Sequence, residues 1–138
     1  MRGAGVRGGG WLNETQRLEL LAITQADCRL RERYLDPDTG KTCAVGAFAL
    51  AAGVSREMLL QAAGTTISPY IERTDLGPAH PQSAARQIRE AITQRFGLSK
   101  YDLQRIQQAN DGCSRRRDRV AAVRRQINAV QVDSEVIE

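Results

Sequence analysis

The sequence predicts a mainly α-helical fold, a single-domain bundle of five or six helices around a central helix of small residues, with at most one short β-hairpin. Three observations carry that expectation. Thr42 to Gly53 reads Thr-Cys-Ala-Val-Gly-Ala-Phe-Ala-Leu-Ala-Ala-Gly, an uncharged stretch of mostly small residues flanked by amphipathic segments. Hydrophobic residues make up 41% of the 138-residue chain but aromatics only 4%, so the core is aliphatic and alanine-based, where a β-sandwich would draw on aromatic and β-branched residues. Near the end, Val120, Val123, Ile127 and Val130 recur at intervals of three, four and three, the spacing of one helical face.

In chain order, Met1–Gly10 holds five glycines, and such a segment has too much backbone entropy to be ordered by its own contacts. Residues 1–12 are therefore expected to form a flexible arm, 13–130 the helical domain and 131–138 an acidic tail. Asn13 with Gln16 three residues on forms a near capping box for a first helix whose inward stripe is Leu18, Leu21, Gln25 and Cys28, widened by Ile23 and Leu30 and interleaved with Arg29, Arg31 and Arg33. The register changes at Tyr34, and Asp36-Pro37-Asp38-Thr39-Gly40 is rich in turn-formers, so Tyr34–Leu35 is expected to pair with Lys41–Thr42 in a short hairpin. The central helix follows. Gly46 costs about 1 kcal/mol of helix propensity against alanine, which calls for a close-packing reason, and Gly53 stands where a left-handed residue ends a helix.

Ser55 caps a brief helix with Met58, Leu59 and Ala62 inward, ended by Gly64. Residues 65–82, with Pro69, Gly77, Pro78 and Pro81, read as a long loop pinned by Tyr70 and Ile71. Ser83 starts a helix with Ala85, Ile88, Ile92 and Phe96 on one face, closed by Gly97. Ser99 and Asp102 form a capping box for the next, which carries Leu103 and Ile106 inward. Asn110-Asp111-Gly112 is expected to be a tight turn in left-handed geometry, and Ser114 to cap the last helix.

The formal net charge is +4, and the basic residues are unevenly placed. Arg115, Arg116, Arg117, Arg119, Arg124 and Arg125 fall in one segment opposed there only by Asp118, while Asp133 to Glu138 is acidic. The run of uncharged residues is too short for a bilayer, which needs about 20 apolar residues, and no charged-then-apolar leader opens the chain. The expected setting is the cytoplasm of a bacterial host, with no membrane role. Cys28, Cys43 and Cys113 show no C-x-x-C pairing and His80 is the single histidine, so reduced thiols and neither metal nor cofactor are expected.

The order of these signatures, a glycine-bearing turn, Cys43-Ala44-Val45-Gly46-Ala47, a variable loop, Gly97-Leu98-Ser99 with Leu103, then Asn110-Asp111-Gly112 and an amphipathic helix, resembles a set of small bacteriophage and bacterial proteins. Their pattern is Cys-(Cys/Ala)-(Leu/Val/Ile)-Gly-(Val/Ala) at a helix start and a later Leu-Asn-Asp turn. The likeness spans Asp27 to Ile127, with Ala109 in place of the leucine and the terminal Ile-Glu displaced to Ile137-Glu138. It implies a phage or mobile-element setting and a shared fold, and no reaction.

Cys43 at a helix start, with His80 and Asn110 or Asp111, permits a Cys-His-Asn nucleophile. A cysteine among small apolar residues is more simply a buried hydrophobe, so Cys43 is expected to be buried and unreactive. Thr39-Gly40-Lys41-Thr42 mimics the end of a phosphate-binding loop, but the first glycine of that motif falls at Leu35 and no strand precedes it. Arginines entering a helix oppose its dipole, and Arg115, Arg116 and Arg117, with Arg124 and Arg125 further along, are the candidate binding residues for a protein partner, a nucleic-acid-associated complex or nucleic acid itself. The leading expectation is a non-enzymatic phage- or mobile-element-type accessory protein that binds a macromolecule, with inhibition of a nucleic-acid-handling host defence complex as one version of that role. A DNA-binding regulator using the last helix and a cysteine-dependent enzyme centred on Cys43 are the alternatives.

Overall fold

Small residues let neighbouring backbones close on a helix, and Ala44–Ala51 (here α2) lies at the centre for that reason. In the computed structural model, described for residues 11–63, 65, 76–77 and 80–132, α2 packs against Glu14–Ala26 (α1), Pro81–Phe96 (α4) and Lys100–Asp111 (α5). Arg56–Gln61 (α3) leans on α4, and Arg116–Ala129 (α6) covers α5 and α1. Trp11–Leu12 (β1) and Gln131–Val132 (β2) pair in parallel, Trp11 opposite Gln131 and Leu12 opposite Val132. The protein is a helical bundle, and among the described residues this two-residue ladder is its only sheet. None of the described helices is long and apolar enough to cross a membrane.

The expected hairpin contracts to a single antiparallel bridge, Leu35 with Thr42. Its turn forms as the sequence asks, with Asp36 Oδ1 accepting from Asp38 N–H and Gly40 at φ +76°. The ladder also draws into the fold residues expected outside the domain, Trp11–Leu12 from the arm and Gln131–Val132 from the tail, and Leu12 is buried.

The first helix is shorter than its apolar spacing suggests, and its inward face is different. It ends at Ala26, and Thr42 O accepts from both Arg29 N–H and Leu30 N–H, which turns the chain across the head of α2. Cys28 (φ +39°) and Glu32 (φ +66°) take the positive angles of that reversal. Leu20, Leu21 and Thr24 face the core while Leu18 stays 54% exposed. Of the expected stripe, Leu21 and Cys28 are buried while Leu18 and Gln25 stay exposed, and α6 is tied to α1 by Arg17 to Asn128 at 2.7 Å.

Other elements start or stop where local chemistry directs. Asn13–Gln16 and Ser99–Asp102 both close full capping boxes, and Ser55 caps α3. Helix α4 begins at Pro81 rather than Ser83, because His80 serves as N-cap with Nδ1 accepting from Gln82 N–H and proline suits the first helical position. Gly53 (φ +92°) and Gly97 (φ +83°) follow α2 and α4 in the left-handed region. Val45, Phe48, Leu59, Ile88, Ile92, Phe96, Leu103, Ile106, Val123 and Ile127 are fully buried, as their periodicities require. Residues 1–10 of the Gly-rich arm, Gly64, the loop residues Tyr70 and Ile71, and residues 133–138 of the acidic tail lie outside the described residues.

Candidate functional site

Asn110 and Asp111 do not form the left-handed turn their composition suggests. Both lie in the last turn of α5, and Gly112 follows in the right-handed region at φ −78°. Local turn formation is overridden because the Asn110 amide is engaged at long range. Its Oδ1 accepts from Ala44 N–H (3.1 Å) and from the Cys28 thiol (3.2 Å), and its Nδ2 donates to Leu30 O (3.0 Å) and Asp111 Oδ1 (2.9 Å). Asp111 Oδ1 also accepts from Glu32 N–H. The first amides of α2 are thus met from two directions, by Asn110 from α5 and by Cys43 Sγ, which accepts from Gly46 N–H at 3.3 Å. Orphan amides at a helix start need such partners.

That arrangement bears on the thiol chemistry. Cys43 is buried, and burial pushes its thiol up to about 12, while burial lifts Cys28 to about 11 against the opposing pull of Arg119 and Arg116. His80 is exposed and its Nδ1 is occupied as the α4 cap. The structure therefore gives Cys43 the surroundings of a structural cap rather than of an activated nucleophile. Native Cys43 is expected to resist a thiol reagent that labels the partly exposed Cys113; rapid Cys43 labelling would revive the nucleophile reading. The raised folded pKa also fixes a sign. The neutral thiol contributes stability below the free-thiol pKa of about 8.5, and this is lost as pH rises from there towards the folded value. Denaturant titrations from pH 8 to 10.5 should show a fall in stability that is smaller in Cys43→Ser.

Helices α1 and α6 run antiparallel, since Arg17 meets Asn128 at one end and Arg116 Nη2 donates to Gln25 O and Asp27 O at the other. Ser114 does not cap α6. Arg115 is its N-cap and makes no side-chain cap bond, because a guanidinium has no acceptor to offer the free amides, while Arg119 holds the carbonyls of the preceding turn. That residue is buried, donating to Ser114 O, Cys113 O and Cys28 O. Guanidinium groups placed on carbonyls at the C-terminal end of α1 complement its dipole. The basic segment therefore divides into inward arginines (Arg119 and, by its polar contacts, Arg116) and outward ones.

The side chains of Arg115, Arg117, Arg124 and Arg125 make no hydrogen bond or ion pair among the described residues. Arg117 and Arg124, two helical turns apart, line an open groove of about 350 Å³ with Arg116, Gln25, Val120 and Ala121, and no carboxylate lines it. Arg125 stands on the outer side of α6, in line with Asp118 seven residues earlier. Arg31 Nε donates to Asp111 O, so the fold also brings the Asp27–Arg33 segment beside the start of α6. Residues 27–33 and 111–125 together carry nine basic and four acidic side chains, net +5, which leaves the remainder of the chain at −1. Sequence alone does not reveal that the two arginine runs meet, nor that Gln25 supplies the opposite wall of the groove.

Among the described residues no group of three or more histidine, cysteine or acidic side chains is placed to hold a metal. No protein-family model, curated protein or solved structure matches this chain.

Proposed function

We propose that this chain is a non-enzymatic accessory protein that acts by binding a macromolecular partner through the arginine-bearing face of α1 and α6. The observation that carries the reading is the groove lined by Arg116, Arg117 and Arg124 without an acidic side chain. Solvated surface arginines are ordinarily interspersed with carboxylates, as Arg95 with Glu19 and Arg86 with Glu90 are elsewhere on this molecule. The phage-type setting, and inhibition of a nucleic-acid-handling defence complex as the biological outcome, rest on the sequence resemblance together with small size and basic charge. A DNA-reading helix is the less favoured form of the same binding role. It asks the first turn of α6 to reach base edges, where Arg116 is anchored to carbonyls of the α1 end and Arg119 is buried.

The test is capture from a bacterial lysate with and without nuclease, using wild type and an Arg117→Gln, Arg124→Gln, Arg125→Gln triple variant. None of the three contributes to the apolar stripe, so the circular dichroism spectrum and melting temperature should stay within a few degrees of wild type. Capture should survive nuclease and be lost in the triple variant. Capture that is indifferent to the triple substitution would make this face an ordinary solvated surface. Capture abolished by nuclease, with salt-dependent binding to random duplex DNA, would transfer the role to the DNA-binding reading.

A further inference from the structure

We infer that the groove between α1 and α6 receives an acidic amphipathic helix of a protein partner, laid along the two antiparallel helices with its apolar stripe down and its carboxylates on the arginines. This deepens the proposed function and rests on it. The groove is not uniformly charged. Val120 and Ala121 lie between the arginines, Gln25 is the α1 residue that lines the groove, and the outward line of α1 continues from Gln25 back through Ala22 and Leu18, about one and two turns earlier. Leu18 and Gln25 are seven residues apart and so lie along one line of that helix. Leu18 is the most exposed large hydrophobic side chain of the described residues. Ala22 and Ala121 are exposed too, and side chains this small let a third backbone come close.

Each chemical element of the face then has a counterpart in one occupant. Leucine-like side chains of an incoming helix, at i, i+4 and i+7, cover Leu18 and the alanines. Glutamates or aspartates flanking that stripe meet Arg117 and Arg124, which the described chain leaves without partners. A guanidinium binds a carboxylate in bidentate geometry. Nucleic acid satisfies only half of this surface. Phosphates pair with the arginines but leave Leu18 uncovered, and no aromatic side chain lines the groove to stack a base.

The probe is a fluorescein-labelled peptide of about 18 residues, five helical turns, with a leucine stripe flanked by glutamates. A scrambled peptide of the same composition and a random-sequence DNA duplex are the comparisons, all read by anisotropy at physiological salt. The patterned peptide should bind about tenfold more tightly than the scramble, the scale of a few aligned anchor contacts. Leu18→Gln keeps helix propensity and charge and should weaken the patterned peptide about fivefold while leaving any DNA binding unchanged. Arg117→Gln with Arg124→Gln should weaken it about tenfold or more. Peptides that bind alike, or indifference to Leu18→Gln, would overturn the inference. If lysate capture remained dependent on Arg117, Arg124 and Arg125 in that case, the proposed function would stand and only the acidic helix would fall. DNA binding in preference to both peptides, with a steep salt dependence, would replace the helix by a phosphate backbone.

Discussion

Gly46→Ala is expected to destabilise the protein by at least about 3 kcal/mol, the upper end of what overpacking a core costs, and to lower the melting temperature by about 10 °C or more. The sign is what makes the test decisive. In a free-standing helix interior the same change stabilises by roughly 0.5–1 kcal/mol, because glycine carries more unfolded-state entropy. Here a Cβ on Gly46 would lie 2.1 Å from the Tyr34 carbonyl oxygen and 3.0 Å from its carbonyl carbon. Both are backbone atoms, so no side-chain rotation relieves the overlap. The Tyr34 backbone is itself held in place, since the neighbouring Leu35 is bridged to Thr42 and the Tyr34 hydroxyl donates to Thr65 O. Relief requires α2 and the 34–42 segment to separate, which opens the packing around Val45 and Phe48. Thermal unfolding followed by circular dichroism measures this directly. A Gly46→Ala protein that melts with wild type or above it would mean that α2 and the Tyr34 segment do not make this approach.

Asn110 should be nearly as intolerant, and two substitutions separate its roles. Asn110→Ala removes the acceptor of the buried Ala44 N–H and the donor to the partly buried Leu30 O. Each buried group left without a partner costs about 1–3 kcal/mol, so a loss of about 3 kcal/mol or more is expected. Asn110→Asp keeps the acceptor but turns a second carboxylate oxygen toward Leu30 O and Asp111 Oδ1, two acceptors with no proton to offer. At pH 7 it should be at least as damaging as the alanine. Burial and the adjacent Asp111 charge raise the folded pKa of the introduced carboxyl above its unfolded value of about 3.9. The penalty is therefore full above that raised pKa and shrinks as pH falls through it. Denaturant titrations at pH 7 and pH 5 should show Asn110→Asp recovering relative to Asn110→Ala. If the two variants respond identically to pH, the Nδ2 contacts to Leu30 and Asp111 are not made.

These two residues also show how far one-dimensional reading reaches. Gly46 stands out in the sequence as a helix-interior glycine that needs a close neighbour, and the structure supplies one in Tyr34. Asn110 stands out too, but as a turn-former, because its composition cue with Asp111 and Gly112 is local. Its actual partners lie 66 to 82 residues away for Ala44, Leu30 and Cys28. A side chain engaged that far off leaves no trace in nearest-neighbour patterns. The arginine segment has the same character. Six arginines are plain in the sequence, and the spacing of Arg117 and Arg124 puts them on one line. Which of the six turn inward depends on where the carbonyls of the α1 end sit, so Arg119 proved buried although its formal charge suggests otherwise.

By itself the sequence determined the elements whose chemistry is local: the capping boxes at Asn13 and Ser99, the Asp36–Gly40 turn, the left-handed glycines after α2 and α4, and the inward stripes of α4, α5 and α6. Each depends on residues within a turn or two, so periodicity and cap chemistry suffice. Tertiary structure alone decided where α1 stops, that Trp11–Leu12 and Gln131–Val132 pair as β1 and β2, that Leu18 faces outward, and that Gln25 meets Arg117 and Arg124 across a groove. The reason is that burial is a property of what packs opposite, and α6, the element opposite α1, is about a hundred residues away in the chain.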